Sequence, residues 1–303
     1  MKNHVKQLRK VEPTFSSSEK SFTISFPKKQ SVALVFASPH SGSIYPKDFL
    51  EASRLDPLTL RQSEDAFVNE LFEDVPILGA PLIEANFPRV YVDVNRASNE
   101  LDPSMFQEKL PVTTNTKSHR VAAGLGTIAK IVSDGQEIYK SSLVFSEVEQ
   151  RIAEFYVPYH KALRKLIENT LHQFGTCLVI DCHSMPSLPN MPKVNYHGRP
   201  IDIVLGDCWG GSCDTAIVEL AEQALIDNGF SVQRNVPYAG GYTAKHYGKP
   251  SLGIHTLQLE ISRGIYMDEA SITKLENFNN IRDRLMMVST ILANLGWESI
   301  AAE

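Results

Sequence analysis

The sequence has no long hydrophobic run and no leader-like apolar segment. None of its 303 residues lies in a stretch of about 18 apolar residues, the length that a membrane-spanning helix needs. The first twenty residues, MKNHVKQLRKVEPTFSSSEK, are polar and basic, without the apolar core of a secretory signal. We therefore expect a cytoplasmic protein with no membrane partner, in which residues 1–20 are a polar lead-in.

The sequence also lacks a basic cluster and is poor in cysteine. It has 30 Lys and Arg residues against 35 Asp and Glu, a formal net charge of -5 and a pI of about 6.0. No basic stripe forms, which argues against a nucleic-acid partner. The four cysteines, Cys177, Cys182, Cys208 and Cys213, lack the close pairing of a zinc ribbon. We interpret them as reduced thiols packed like small hydrophobic residues.

Apolar runs alternate with helical patterns along the rest of the chain. Continuous apolar runs are typical of strands buried on both faces of a sheet, and the candidates are residues 31–40, 89–96, 177–183, 201–207 and 256–262. Helical spacing predicts helices over 146–175, 213–228 and 271–295, the first with Ser146 and Glu149 as a capping box. The alternation predicts an α/β fold, a three-layer α/β/α sandwich with a mixed, mostly parallel sheet. The proline-rich stretch 184–200 is predicted to be a loop.

Polar side chains follow several of the predicted strands. His40 ends the first, Asn95 and Arg96 end the second, Asp181 and His183 end the third, and Glu260 lies on the last. Two histidines and a carboxylate suit Zn²⁺ with one coordination position left open. A separate carboxylate can transfer a proton, and an arginine can hold a substrate carboxylate.

A set of motifs in the chain resembles the N-formylglutamate amidohydrolases, a family of metal-dependent deformylases distantly related to zinc carboxypeptidases. The matching stretches fall in the family's order and cover roughly residues 30–270: SPHSGSIYP, VDVNRASNELDP, GLGTI, YVPYHKAL, VIDCHSMPS, DIVLGD, GGYTAKHYGKP and HTLQLEISRGIYMDE. A single short match means little, whereas the ordered set is specific.

The resemblance implies a zinc-carboxypeptidase-like α/β fold and a single catalytic domain over residues 21–303. It implies hydrolysis of N-formyl-L-glutamate, a small-molecule substrate, to formate and glutamate at the end of a histidine-degradation route. It also implies one divalent metal ion per chain, for which we expect zinc.

The resemblance assigns roles to individual residues. His40 and His183 match metal-binding histidines, and Glu260 matches the general base. Arg96, with Asn95 beside it, matches the clamp for a substrate carboxylate.

The acidic metal ligand is left open between two neighbours. The carboxypeptidase pattern has Glu three residues after the first histidine, but Ser43 stands there. We favour Asp65 as the third ligand, with Glu64 as its rival.

Further residues are candidates for contact or support. His246, Tyr242 and Gly241 are predicted to contact the substrate, and His160 is open between a structural and a supporting role. Asp181 and His183 are two residues apart on a strand, so they should share a face, with Cys182 packing on the other.

Two departures from the family leave substrate identity less defined than reaction type. Lys245 and Ala123 stand where the family often has Arg.

Other functions remain open. One is a cysteine hydrolase that uses Cys182, and another is a non-catalytic binding protein. A third is a carboxypeptidase-type peptidase or another N-acyl amino acid hydrolase.

Overall fold

A mixed sheet of seven strands runs through the computed structural model, which describes residues 21–187 and 200–294. Its strands are β1 (Phe22–Ser25), β2 (Leu34–Ser38), β3 (Leu82–Ala85), β4 (Cys177–Met185), β5 (Ile203–Gly206), β6 (Val232–Arg234) and β7 (Ile254–Ser262). The order is β1-β3-β2-β4-β7-β5-β6, with the β1–β3 and β7–β5 pairs antiparallel and the others parallel. A two-stranded sheet adds β8 (Met267–Asp268) and β9 (Thr273–Lys274).

Nine α-helices lie among the described residues. They are α1 (Lys47–Ala52), α2 (Pro57–Arg61), α3 (Val68–Leu71), α4 (His119–Ala122), α5 (Phe145–Arg151), α6 (Val157–Phe174), α7 (Thr215–Asp227), α8 (Tyr242–Tyr247) and α9 (Phe278–Ala293). A π-helical turn, Ile152–Tyr156, joins α5 to α6. In this part of the chain, no helix combines the length and apolar character that crossing a membrane requires.

The central strand β4 shows how the layers form. All nine of its residues are buried, and successive side chains point to opposite faces of the sheet. Leu178 and Ile180 pack in one core cluster together with residues of α7 and α9, whereas Val179 packs with α6 in a second cluster. These two cores confirm the predicted α/β/α sandwich with a mixed, mostly parallel sheet.

The predicted strand over residues 89–96 is wrong, because this stretch forms a series of turns. Its backbone groups bond to another loop and to a side chain of the same stretch instead of to a neighbouring strand. The Asp93 N–H donates to the Thr127 carbonyl (2.7 Å), and the Asn95 N–H donates to Asp93 Oδ1 (2.8 Å). The alternation that suggested a strand reflects Val92 and Val94, which are both buried in the core.

The predicted capping box at Ser146 is also wrong. Helix α5 begins at Phe145 after Val144, without a side-chain cap, and Glu108 Oε1 instead accepts the Phe145 N–H at 2.5 Å. At the other end, α6 stops at Gly175, whose φ of 75° is in the left-handed region, as the pattern predicts.

The other element predictions differ from the structure mainly at their ends. Helix α7 lies within the predicted range 213–228. The predicted helix over 271–295 begins later, at Phe278, because Thr273–Lys274 forms β9. Of the predicted loop 184–200, residues 184 and 185 belong to β4. The described residues exclude 188–199, the lead-in 1–20 and residues 295–303.

The carboxyl ends of β2, β4 and β7 lie side by side at one edge of the sheet. These three strands are parallel neighbours, and in register His183 stands beside Glu260. His40 follows β2 by two residues. Open α/β sheets bind ligands at this edge, and here it gathers the polar residues that the sequence places at strand ends.

Candidate metal and substrate site

Three side-chain atoms from separate parts of the chain meet at this edge. His183 Nδ1 lies 3.1 Å from His40 Nδ1 and 3.1 Å from Asp65 Oδ2, and the last two atoms are 3.3 Å apart. The three side chains are at most 2% exposed. Asp65 reaches the histidines because its N–H donates to the His40 carbonyl at 3.0 Å. We refer to His40, Asp65 and His183 as the triad.

Each imidazole of the triad is held from behind by a carboxylate. His40 Nε2 lies 2.8 Å from Asp93 Oδ1, and His183 Nε2 lies 3.0 Å from Asp181 Oδ2. A protonated Nε2 of His40 suits the hydrogen bond to Asp93, which leaves Nδ1 of a neutral ring with a lone pair directed into the triad. The contact between Asp181 and His183 confirms the prediction that the two side chains share a face of β4.

The second oxygen of Asp65 is also occupied. Ser184 Oγ donates to Asp65 Oδ1 at 3.1 Å, and Arg263 Nη2 donates to it at 3.2 Å. The remaining oxygen, Oδ2, is the one that faces the histidines. The triad therefore offers two imidazole nitrogens and one carboxylate oxygen to the same point.

The electrostatic surroundings of the triad keep Asp65 ionised and attract positive charge to the histidines. Burial raises the pKa of Asp65, but hydrogen bonds with His183 and His40 outweigh it and hold the pKa well below its usual value. Burial lowers the pKa of His183, whereas the Asp181 and Asp65 carboxylates outweigh burial and raise that pKa well above its usual value. The surroundings therefore favour positive charge at this point, and a cation can supply it in place of a proton.

The triad fits a divalent metal ion. Two histidines and one carboxylate are a ligand set of catalytic zinc sites. Because each ligand atom lies about 2.0–2.2 Å from Zn²⁺, two ligands of one tetrahedral ion stand about 3.3 Å apart. The triad atoms are 3.1–3.3 Å apart, so these residues can hold one ion without rearrangement.

Glu64, the rival of Asp65, points elsewhere. Tyr45 Oη donates to Glu64 Oε1 at 2.7 Å, and Arg61 Nε lies 3.1 Å from both carboxylate oxygens. The structure thus brings Asp65, and not Glu64, to the histidines.

Glu260 lies next to the triad on β7. Burial raises its pKa to about 7, although the nearby His183 opposes the shift. Gln258 shares its face of the strand and donates to Glu260 Oε1 at 2.8 Å. A carboxylate with a pKa near neutrality can both accept and return a proton, so the position suits a general base.

A cavity of about 270 Å³ is lined by His40 and His183 of the triad and by Glu260. Four arginines also line it: Arg89, Arg96, Arg120 and Arg263. The cavity thus combines two histidines of the triad and a titratable carboxylate with several positive charges. Such a site suits a small anionic substrate.

Hydrogen bonds to backbone carbonyls hold the guanidinium of Arg96, the residue predicted to bind a substrate carboxylate. Its Nε donates to the Leu125 carbonyl (2.9 Å), and its Nη1 donates to the Asn95 carbonyl (2.7 Å). Its Nη2 lies 3.7 Å from Asp93 Oδ2. Two of the five N–H bonds are thus used, and Arg96 can offer the cavity only the remaining part of its guanidinium.

Asn95 and Gly241 pack against each other beside the triad. Asn95 Nδ2 lies 3.2 Å from His183 Nε2, and its Oδ1 accepts the Thr243 N–H at 2.8 Å. A Cβ at Gly241 would lie 2.3 Å from Asn95 Nδ2, so a larger residue there would displace the Asn95 amide. The Gly241 N–H also donates to Gln258 Oε1 at 2.6 Å. The structure therefore gives both residues positioning contacts.

Tyr242 and His246 lie on α8, outside the set of residues that line the cavity. Their rings stack at 4.8 Å, and His246 is exposed. The Tyr242 ring also contacts His160 edge-on at 5.5 Å. The structure does not bring these two residues to the triad, and their contact with substrate remains a prediction.

His160 and Tyr156 support the turns that carry Asn95 and Arg96. His160 Nε2 lies 2.9 Å from the Val94 carbonyl, and Tyr156 Oη donates to the Arg96 carbonyl at 2.8 Å. Burial lowers the pKa of His160 to about 4, so the ring is neutral and can donate to that carbonyl. His160 therefore has a supporting role.

Cys182 lies on the opposite face of β4 from His183, in the core cluster with α7 and α9. Burial raises the pKa of its thiol well above the usual value. Such a thiol is a poor nucleophile, which argues against a cysteine hydrolase.

Sequence reasoning missed Arg89, Asp93, Arg120 and Arg263. The sequence could have identified Asp93, because it stands two residues before Asn95 in the VDVNR motif and carboxylates commonly hold metal-binding histidines. The three arginines carry no comparable pattern, since each lies outside the regular elements or in a single short turn of helix.

Comparisons with known proteins agree with this geometry. The sequence profile for N-formylglutamate amidohydrolase matches residues 32–267. The N-formylglutamate deformylase of Pseudomonas aeruginosa is 28% identical over 246 residues, which covers 80% of this chain and 85% of that protein. Its counterpart from Pseudomonas putida is 26% identical over 239 residues, which covers 78% and 82%.

A solved structure extends the similarity to the fold. The N-formylglutamate amidohydrolase of Ralstonia eutropha is 34% identical to this chain and superposes with a TM-score of 0.86. The match covers 93% of this chain and all of that one. With the family profile spanning most of the sequence, the chain belongs to the N-formylglutamate amidohydrolase family.

Proposed function

We propose that this protein hydrolyses the formyl amide bond of N-formyl-L-glutamate, or of a similar N-acyl acidic amino acid, with the help of one divalent metal ion. The observation that carries the proposal is the meeting of His40, Asp65 and His183 within 3.3 Å beside Glu260 in an arginine-lined cavity. The deformylase activity in the names of the two Pseudomonas relatives supports the choice of a formyl group.

The triad would hold the ion, with Zn²⁺ as the expected metal. When bound, such an ion polarises the substrate carbonyl and makes water a stronger nucleophile. Asp93 and Asp181 orient the two imidazoles, and Ser184 with Arg263 fixes the Asp65 carboxylate.

Glu260 moves the proton in this proposal. In its ionised form it accepts the proton of the attacking water and then passes it to the amine of the leaving glutamate. Water supplies the hydroxyl to the formyl carbon, the C–N bond breaks, and the products are formate and glutamate. Gln258 holds Glu260 in place through its 2.8 Å hydrogen bond.

Arg96 would attract a carboxylate of the bound substrate. The Leu125 and Asn95 carbonyls fix its guanidinium in the cavity wall, so little conformational entropy is lost when an anion binds. Two expectations implied by the family belong to this proposal. They are a place at the end of a histidine-degradation route and a single catalytic domain over residues 21–303.

A hydrolysis assay with metal analysis tests the proposal. The protein is purified without added metal, analysed for metal content, and offered N-formyl, N-acetyl and N-succinyl derivatives of acidic and neutral amino acids. We expect about one equivalent of divalent metal per chain and the fastest release from N-formyl-L-glutamate. Faster cleavage of peptides would favour a carboxypeptidase-type activity, and fastest release from another acyl derivative would identify a different N-acyl amino acid hydrolase.

A further inference from the structure

Arg120 lies on a segment that is fastened to the turns bearing Asp93 and Arg96. Arg96 Nε donates to the Leu125 carbonyl at 2.9 Å, and the Asp93 N–H donates to the Thr127 carbonyl at 2.7 Å. Within the segment, the Leu125 N–H donates to the Arg120 carbonyl at 2.8 Å. The backbone of Arg120 is therefore held at a defined position relative to the cavity wall.

The arginines of the cavity wall outnumber their acidic partners. Asp93 Oδ2 lies 2.8 Å from Arg89 Nη2 and 3.7 Å from Arg96 Nη2, so two guanidinium groups share one carboxylate. Arg263 has its own partner in Asp65. Within the described ranges, Arg120 has no carboxylate within 4 Å and no side-chain hydrogen bond, although it lines the same cavity.

The positive groups repel one another. Burial lowers the pKa of Arg96, and the charges of Arg89 and Arg120 lower it further, against the opposing effect of Asp93. An anion in the cavity would relieve this repulsion. A substrate with two carboxylates supplies more negative charge than Asp93 alone can provide to the wall.

We infer that Arg120 recognises the side-chain carboxylate of the acidic substrate and so makes the site selective for glutamate derivatives. The inference rests on the proposed function. The α-carboxylate is attached to the carbon that bears the scissile amide, whereas the side-chain carboxylate extends farther from it. Arg96 is buried in the wall and Arg120 is exposed, so Arg120 stands where the far end of the substrate meets solvent.

The inference is tested with two substrates and two variants of the metal-loaded enzyme. N-formyl-L-glutamine has the size of N-formyl-L-glutamate but no side-chain charge. Arg120→Gln should lower kcat/KM for N-formyl-L-glutamate by about 10- to 100-fold, the loss expected for one charge-assisted hydrogen bond, and change it little for the glutamine derivative. Lys117→Gln removes the same charge from an exposed residue three positions away and should leave both values unchanged.

If Arg120→Gln lowered kcat/KM equally for both substrates, the inference would be overturned. Arg120 would then stabilise the structure or bind the α-carboxylate that both substrates share. If Lys117→Gln lowered kcat/KM for N-formyl-L-glutamate as much as Arg120→Gln does, the inference would also fail. The effect would then come from the overall positive charge of this part of the surface.

Calorimetry with L-glutamate and L-glutamine separates the inference from the proposed function. Tighter binding of glutamate that disappears in Arg120→Gln would support it even if no formate were released. Equal affinities of the unaltered enzyme for the two amino acids would contradict it, whatever the outcome of the formate assay.

Discussion

The triad and the arginine wall, by which we mean Arg89, Arg96 and Arg120 in the lining of the cavity, differ in how completely their charges are matched. At the triad, both carboxylate oxygens of Asp65 have partners, and the Asp93 and Asp181 carboxylates lie within 3.0 Å of the far nitrogens of the two histidines. At the arginine wall, Asp93 is shared between Arg89 and Arg96, and Arg120 has no acidic partner within 4 Å among the described residues. The protein itself matches the charges at the triad, whereas the arginine wall keeps positive charge that no described carboxylate matches.

This difference predicts different responses to mutation. A change at the triad should affect the chemical step or the affinity for metal, because its groups are already aligned. A change at the arginine wall should affect substrate binding and selectivity and leave the metal in place. The following experiments test this contrast, beginning with the largest expected effect.

Removal of the metal should abolish hydrolysis. Dialysis against a chelator is expected to stop formate release from N-formyl-L-glutamate, and stoichiometric Zn²⁺ should restore it. Cys182→Ala should retain both the activity and its sensitivity to the chelator, because the thiol packs in the core. Full activity in protein shown by elemental analysis to contain no metal would contradict the proposed mechanism.

Glu260→Gln should cause the largest loss among the single substitutions that keep the metal. Glutamine has the same shape but cannot accept the proton of water, and general-base catalysis is typically worth about 10²- to 10⁴-fold. We expect kcat to fall by this factor with metal content unchanged. Gln258→Asn is the matched control on the same face of β7, and its effect should be smaller. Loss of metal in the Glu260 variant would instead make Glu260 a ligand.

The dependence of kcat/KM on pH gives a second test of the role of Glu260. Glu260 must be ionised to act as a base, and burial raises its pKa to about 7. A nearby divalent ion favours the carboxylate form. We expect kcat/KM to fall as the pH drops through a midpoint at or below about 7, and Glu260→Gln should lose this acidic limb. An unchanged limb in the variant would assign it to another group.

Asp65→Asn should weaken metal binding strongly. The loss should exceed the roughly 10- to 100-fold that removal of an outer hydrogen-bond partner of a metal ligand costs. Glu64→Gln is the control, since Glu64 contacts Tyr45 and Arg61 instead of the histidines. Competition with a metal indicator dye measures both affinities. A strong effect of Glu64→Gln with a weak one of Asp65→Asn would reverse the assignment.

Arg96→Lys should have a smaller effect that appears in substrate binding. The lysine keeps a positive charge but loses the contacts of the guanidinium with the Leu125 and Asn95 carbonyls. We expect KM to rise about tenfold, as for one charge-assisted contact, with metal content unchanged. Arg96→Ala should also reduce the preference for free-carboxylate substrates over their amides. A fall in kcat without a change in KM would place Arg96 in the chemical step.

Much of the fold followed from regular patterns in the sequence. The apolar run 177–183 predicted a buried strand, and its two-residue period predicted that Asp181 and His183 share a face. The 3.0 Å contact between their side chains confirms that period. The stretch 89–96 misled the prediction, since its alternating valines face the core from successive turns instead of from a strand.

The candidate site was predictable only where side chains belong to strands or follow them closely. His183 and Glu260 lie on adjacent parallel strands and His40 follows a third, so the sheet brings their positions together. Arg89 and Arg120 come from turns and a single turn of helix, where no period relates one side chain to the next. Their place in the cavity depends on hydrogen bonds between distant loops.

The neighbours Glu64 and Asp65 show where the sequence by itself stops. The sequence determined the buried strands β2, β4, β5 and β7, the family motifs and the positions of the two histidines, because periodic burial and short motifs are local properties. For the acidic ligand it favoured Asp65 over the adjacent Glu64 but left both open. The tertiary structure decided, because the Asp65 N–H bonds to the His40 carbonyl and directs Asp65 to the triad, while Tyr45 and Arg61 draw Glu64 away.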